Sequence, residues 1–247
     1  MKIKLIGKDL TQIRFLLSKY GLVEAESGFD LIIAHGGDGT LLGAERDYPG
    51  VLKLPIRDKS CCPEHTPEQQ IKKLIDGILK EQHLYKVAAQ YCSTQLSALN
   101  DVFLHMSDPA SALRYRVYID EELYADEVVG DGVCFCSVHG SSAYYRSITH
   151  SIFRTGVGLA FSNSTEAVDH LVLDCDTRVK VTILRGPGIL FPDNSPVRLT
   201  VSEGETVEFF QSGDVARILG LNDFMCECCR MLRHPHKMPL KTLLSNC

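Results

Sequence analysis

Leu31-Ile32-Ile33-Ala34-His35-Gly36-Gly37-Asp38-Gly39-Thr40-Leu41-Leu42-Gly43-Ala44-Glu45-Arg46 is the stretch that decides the fold. Four consecutive apolar residues read as a buried strand, the glycines as a tight turn, and Leu41 to Arg46 as the first turns of a helix. Glycine at 36, 37 and 39 permits left-handed backbone angles and lets a ligand approach the main chain closely. The free N–H groups and partial positive charge at a helix N-terminus suit a phosphate. A carboxylate in such a cradle repels phosphate, so Asp38 needs its own explanation. A base for an attacking hydroxyl or a metal ligand is one; a helix cap or turn former is another.

Outward from this stretch, the first 80 or so residues alternate between strand and helix. Lys2–Gly7 reads as a strand. Leu10, Ile13, Leu16, Leu17 and Tyr20 have helical spacing, and Val51–Ile56 reads as a third strand interrupted by Pro55. Thr66-Pro67-Glu68 predicts a helix start with Thr66 as cap, running to about Lys80 with Ile71, Leu74, Ile75 and Ile78 on one face. That is an α/β unit with a parallel sheet. From Tyr85 onward strands dominate: Tyr85–Tyr91, Leu96–His105, Leu113–Ile119, Leu123–Val129, Val133–Val138, Leu159–Ser162, Val179–Leu184, Val197–Val201 and Thr206–Gln211. Ser141–Ser147 reads as a short helix. The expected boundary divides residues 1–84, an α/β domain carrying the glycine loop, from 85–247, a β-rich domain. Met225 to Cys229 is apolar enough to pack back on the first domain.

The 247 residues suffice for one large or two small domains. A net charge of −5 argues against broad nucleic-acid binding, which wants a basic face. No stretch approaches the roughly 20 apolar residues that cross a bilayer. Met1–Gly7 is too short and strand-like for a signal peptide, so the expected location is cytoplasmic, with no membrane partner. Ten cysteines then read as buried thiols rather than disulfides. Cys226, Cys228 and Cys229 lie near His234 and His236, but Cys-x-Cys-Cys matches no common zinc module, and no metal site is expected there.

Three further segments carry chemistry. Asn100-Asp101 follows Ala98-Leu99 at the start of a hydrophobic strand. Gly130-Asp131-Gly132 is a second glycine turn. Gly140-Ser141-Ser142-Ala143-Tyr144 is a small-residue turn with one aromatic ring. Asn100 can read an adenine edge or a ribose, or can close a turn. Asp101 and Asp131 can accept from ribose hydroxyls, although Gly130–Gly132 also fits an ordinary hairpin connection. Small residues at 140–143 leave room for a flat base that Tyr144 can cover, or Tyr144 can belong to the core.

The four segments in this order resemble the NAD kinase family. Gly36–Ala44 is similar to that family's Gly-Gly-Asp-Gly-Thr motif with its Leu-Gly-Ala helix start. Asn100-Asp101 stands at its Asn-Glu. Gly130–Gly132 and His139–Tyr144 stand at its Gly-Asp-Gly and Thr-Gly-Ser-Thr-Ala-Tyr. The resemblance covers roughly residues 1–215. Diacylglycerol and sphingosine kinases share the pentapeptide but look less similar, because the Leu41-Leu42-Gly43-Ala44 extension and Asn100-Asp101 point to NAD kinases.

The implied architecture is α/β plus β: a Rossmann-like N-terminal domain and a β-rich dinucleotide-binding C-terminal domain. The implied activity is phosphorylation of the adenosine ribose 2′-hydroxyl of NAD by ATP with a divalent cation such as magnesium. Asp38 would act on that hydroxyl. Gly36, Gly37, Gly39 and Thr40 would lie along the phosphates, and Gly37 and Gly39 also against NAD. Asn100 and Asp101 would hold the adenine side, Asp131 would face nicotinamide, and Ser142, Ala143 and Tyr144 would line the adenine pocket. A homodimer or homotetramer is implied. Kinases of the same fold acting on a lipid or sugar hydroxyl, and an NAD-binding regulatory homologue without turnover, are the alternatives.

Two segments depart from the family. Leu54-Pro55-Ile56-Arg57-Asp58-Lys59-Ser60-Cys61-Cys62 replaces Gly-Ile-Asn and a glycine pair, with Arg57 at the Asn, where it either assists a phosphate or solvates a surface turn. Ser147-Ile148-Thr149-His150-Ser151 replaces Ser-x-Gly-Gly-Pro, and His139 replaces a threonine, as a phosphate donor or a structural histidine.

Overall fold

The computed structural model describes residues 1–58, 62–167 and 169–227. They form two compact units: residues 1–83 together with the described residues from Ala216 on, and residues 84–215. Lys59, Ser60 and Cys61 of the departing segment, and Cys228, Cys229, His234 and His236, lie outside the described residues.

In the first unit the chain runs β1 (Lys2–Gly7), α1 (Thr11–Lys19), β2 (Val23–Glu24), β3 (Leu31–His35), α2 (Asp38–Asp47), β4 (Lys53–Ile56) and α3 (Pro67–Ile75). The parallel sheet has the order β2-β1-β3-β4. β3 is buried on both faces, as a strand with the apolar run Leu31–Ala34 in a parallel sheet should be. Leu31 and Ile33 join Ile13, Leu16 and Leu17 of α1 and Ile71 of α3 in one core, while Ile32 and Ala34 pack on Ala44 of α2. Pro55 sits inside β4. Ile32 N–H donates to Leu52 and Gly36 N–H to Ile56, so Pro55, out of phase with these, turns its nitrogen to the other edge. Helix α3 is shorter than its apolar spacing predicts. Thr66 caps it by accepting from Gln69 N–H, but it ends at Ile75, the chain turns at Gly77 with φ of 66°, and Ile75 and Ile78 are exposed.

The chain continues through β5 (Glu81–Tyr91), which enters the second unit, β6 (Thr94–Ala98), β7 (Asp101–Met106), β8 (Leu113–Ile119), β9 (Glu122–Gly130), β10 (Gly132–Cys136), α4 (Tyr144–Thr149), β11 (Val157–Ser162), β12 (His170–Leu173), β13 (Val179–Arg185), β14 (Gly188–Pro192), β15 (Leu199–Val201) and β16 (Thr206–Leu219), which leaves it again. One sheet carries the run β16-β13-β8-β9, with β5 and β6 attached; the other has the order β12-β11-β10-β7-β14-β15. Tyr115, Val117, Val181 and Phe209 of the first meet Val102, Leu104, Val133, Phe135 and Leu159 of the second in a sandwich core. On β10 the alternate residues Cys134 and Cys136 face the other way, into a cluster with Phe103, Tyr145 and Phe153.

Several expectations are corrected here. Leu96–His105 is two strands, broken at Leu99-Asn100. Gly130-Asp131-Gly132 is not a hairpin: β9 and β10 belong to different sheets, and the chain crosses between them at Asp131. The strand expected at 197–201 begins at Leu199, and β16 runs on to Leu219, where Ile218 pairs with Lys53 in the first unit's parallel sheet. The sequence pattern does not predict β2, β12 or β14. A further helix, α5 (Leu221–Phe224), follows. Among the described cysteines, all free, Cys134 and Cys136 are the buried thiols expected, but Cys92 and Cys175 are exposed.

Candidate active site

The predicted site residues fall into two sets, one in each unit. In the first unit, β3 delivers the chain to Gly36, whose φ is 156°. A Cβ at Gly36 would collide with Thr40 Oγ1, so no larger residue fits the turn. Gly37 is the N-cap of α2 and has no side chain to cap with; Thr40 N–H donates to Gly37 O at 3.0 Å. Gly37, Asp38 and Gly39 are exposed at the helix N-terminus, the end of a helix that favours an anion. Asp38 is the first residue of α2 and does not cap it, which corrects the capping alternative. Its carboxylate, 63% exposed, accepts instead from Arg57 Nη2 at 2.9 Å.

Arg57 is not a solvated turn residue. Its side chain is only 12% exposed, its Nε donates to Phe224 O at 3.2 Å, and its guanidinium lies 3.6 Å from the Phe224 ring centroid. A Cβ on Gly37 would stand 3.9 Å from Arg57 Nη1, so the cation borders the glycine turn. Gly36, Gly37, Asp38, Gly39, Thr40 and Arg57 thus form one cluster: a helix N-terminus, a carboxylate and a fixed guanidinium. Phe224, which completes it, carries no local sequence signal.

In the second unit the break between β6 and β7 is built around Asp193, a residue the sequence did not single out. Its carboxylate accepts the N–H groups of Leu99 at 2.7 Å, Asn100 at 2.8 Å and Asp101 at 3.1 Å, and Asp193 N–H donates to Asp101 O. Ser137 pins the same turn from the far side, its Oγ donating to Leu99 O and its N–H to Asn100 O. Gly140 packs so closely there that a Cβ would overlap Asn100 O. The sequence therefore brings Asn100, Asp101 and the small-residue turn together through main-chain contacts. Asn100 Oδ1 is buried without a hydrogen-bond partner, which leaves an acceptor for a ligand donor. Burial, then the neighbouring Asp193 charge, pushes the Asp101 carboxyl up to about 7. Burial also raises Asp193, against the three N–H groups it accepts and the nearby Lys86 charge.

Ser142 and Ala143 are half-buried and Tyr144 is half-exposed. The Tyr144 ring stands edge-on to Phe103 with centroids 5.0 Å apart, outside the sandwich core. It borders a cleft of about 520 Å³ whose lining includes His150, Ser162, Asn163, Glu166 and Asp169. Asn163 Nδ2 donates to Asp131 at 2.6 Å, so Asp131 is held at the margin of that cleft. A Cβ at Gly132 would overlap Leu104 O, which accounts for the glycine after Asp131. His150, at the family's glycine pair, has φ of 55°, the left-handed conformation that glycine adopts without strain.

No family model matches the chain. Curated relatives do. An NAD kinase of Photorhabdus laumondii is 30% identical over 51% of this chain, and the match takes in 47% of that relative, less than half its length. The NAD kinase of Shewanella frigidimarina is 24% identical over 80% of this chain and 70% of its own, and that of an Enterobacter strain 26% over 75% and 69%. Among solved structures, the fold is similar to an NAD kinase from Archaeoglobus fulgidus in complex with ATP, with a TM-score of 0.74 and 16% identity over 91% of this chain and 96% of that one. It is also similar to yeast NADH kinase complexed with NADH, with a TM-score of 0.77 and 16% identity over 97% and 89%.

Proposed function

We propose that this chain, which belongs to the NAD kinase family, transfers the γ-phosphoryl group of magnesium-bound ATP to the adenosine ribose 2′-hydroxyl of NAD, giving NADP and ADP. The observation that carries this reading is a carboxylate at the first residue of an exposed helix N-terminus, beside a fixed guanidinium: Asp38 next to Arg57. A ribose hydroxyl is a poor nucleophile near neutral pH, and Asp38 takes its proton as the phosphoryl group arrives. The rest of the work is positioning and charge neutralisation. Gly36, Gly37, Gly39 and Thr40 receive the phosphates at the N-terminus of α2, and Arg57 adds a full positive charge to that end. Asn100 and Asp101 hold the ribose and adenine side of NAD, Ser142, Ala143 and Tyr144 frame the base, and Asp131 faces the nicotinamide end. The active form is a cytoplasmic homodimer or homotetramer. Among the described residues no helix is long and apolar enough to cross a membrane.

Asp38→Asn keeps the side-chain size and removes the base. Turnover measured as NADP formed from NAD and magnesium-ATP falls at least about a hundredfold. Near-normal turnover in that variant removes Asp38 from the chemistry.

A further inference from the structure

Resting on the reading of Asp38 and the glycine turn as the phosphoryl-transfer site, we propose that Phe224, on helix α5, is a positioning residue of that site. It aims Arg57 at the turn. Among the described residues, Phe224 makes two contacts with the guanidinium, beside Met225 Sδ at 4.0 Å from Nη2. The Phe224 ring, 3.6 Å below, sets its plane, and the Phe224 carbonyl, 3.2 Å from Nε, sets its rotation within that plane. With plane and Nε edge both defined, the terminal nitrogens have one direction left. Nη2 meets Asp38 at 2.9 Å and Nη1 borders Gly37. A flat, delocalised cation stacked on a ring is held in a way that a lysine ammonium is not.

Phe224 is itself held by its helix. Its side chain is 3% exposed. The preceding residue, Asp223, accepts from Lys73 Nζ at 2.6 Å and Gln70 Nε2 at 3.1 Å, with His65 Nε2 3.6 Å away. Burial alone would raise the Asp223 carboxyl, but the hydrogen bonds from Lys73 and Gln70 and the charges of Lys73 and His65 hold it below the usual carboxylate range. A chain of contacts therefore runs from α3 through Asp223 and Phe224 to Arg57 and Asp38. The segment from Ala216 on becomes part of the donor side of the site, and its effect falls more on ATP than on NAD.

Calorimetric titration of the full chain with magnesium-ATP and, separately, with NAD tests this. The variants are Phe224→Leu, which stays apolar but loses the flat face, Phe224→Tyr, which keeps the flat face, Arg57→Ala, and the double variant Arg57→Ala/Phe224→Leu. Phe224→Leu weakens ATP binding about threefold to tenfold, the scale of a stacked cation. NAD binding weakens less, since the Phe224 contacts orient the cation at the glycine turn, while NAD meets this cluster through Asp38. KM for ATP rises more than KM for NAD. Phe224→Tyr restores ATP binding, and Phe224→Leu adds nothing once Arg57 is gone. ATP binding unchanged by Phe224→Leu, or an equal loss with and without Arg57, overturns the inference and leaves the proposed function standing. A wild-type chain that binds no ATP overturns both.

Discussion

Asp101 shows how one buried carboxylate ties stability to pH. Its carboxyl is raised from 3.8 to about 7, chiefly by burial and then by Asp193. Between these values the folded chain holds a proton that the unfolded chain has released. By linkage, Asp101's contribution therefore makes the fold progressively less stable as pH rises from about 4 to about 7, and it levels off above. The largest size of the effect is about 4 kcal/mol, three pH units at 1.36 kcal/mol each. Asp101→Asn removes the titration. Urea unfolding at pH 5 and pH 8 should show the variant gaining on the wild type by a few kcal/mol at the higher pH. A gain equal at both pH values means that Asp101 does not titrate in that window. The same residue explains what was readable beforehand. An Asn-Asp pair ahead of an apolar strand is a local signal for ligand chemistry. Asp193, which shapes the pair, lies more than ninety residues on in a Pro-Asp-Asn stretch that reads as any turn, and Ser137 is one serine among many.

At the scale of elements, β1, α1, β3 and the start of α3 were legible because their causes are local: apolar period, Thr66 at a cap, Pro67 behind it. The Leu96–His105 break was not, since its backbone N–H groups are diverted to Asp193 instead of a neighbouring strand. β14 was hidden because Pro187 and Pro192 bound it and mask a five-residue strand that is held by β7 and β15. The join of α2 to β4 was equally hidden. Lys53, a residue type that sequence assigns to the surface, is fully buried. Its Nζ reaches Glu45 at 2.5 Å and the carbonyls of Tyr48 and Val51 at 2.7 Å each. Glu45 in turn accepts from Gly50 N–H at 3.2 Å, so one ion pair ties the end of the helix that begins at Asp38 to its return strand. Removing one partner of such a pair leaves a buried charge alone. Lys53→Met should lower stability by about 3–5 kcal/mol in chemical denaturation, whereas Lys53→Met with Glu45→Leu should recover most of that loss. A single variant as mild as the double one means that the pair is not isolated from water.

At the scale of the molecule, the chain does not complete its first unit before starting its second. Residues 1–83 supply β1 to β4 and three helices, and the described residues from Ala216 on return to the same unit. The returning piece brings Ala216, Ile218, Leu221 and Phe224, each buried, the pairing of Ile218 with Lys53, and Asp223 with its Lys73 and Gln70 partners. Full burial of a large apolar side chain contributes roughly 1.5–3 kcal/mol, so Ile218, Leu221 and Phe224 together contribute about 5 kcal/mol or more. That matches the whole stability of many small domains. The second unit has its own sandwich core, in which the residues from Val87 to Phe209 all precede Ala216. A chain ended after Val215 should therefore lose the first unit and keep the second. Hydrogen exchange followed by mass spectrometry should show peptides from 1–83 exchanging at unfolded rates in the shortened chain, with peptides from β7, β10 and β13 still protected. Protection across β1 and β3 at wild-type level in that chain would mean that the first unit's core stands without the returning segment. Ile218, Leu221 and Phe224 would then contribute far less to that unit than their burial implies.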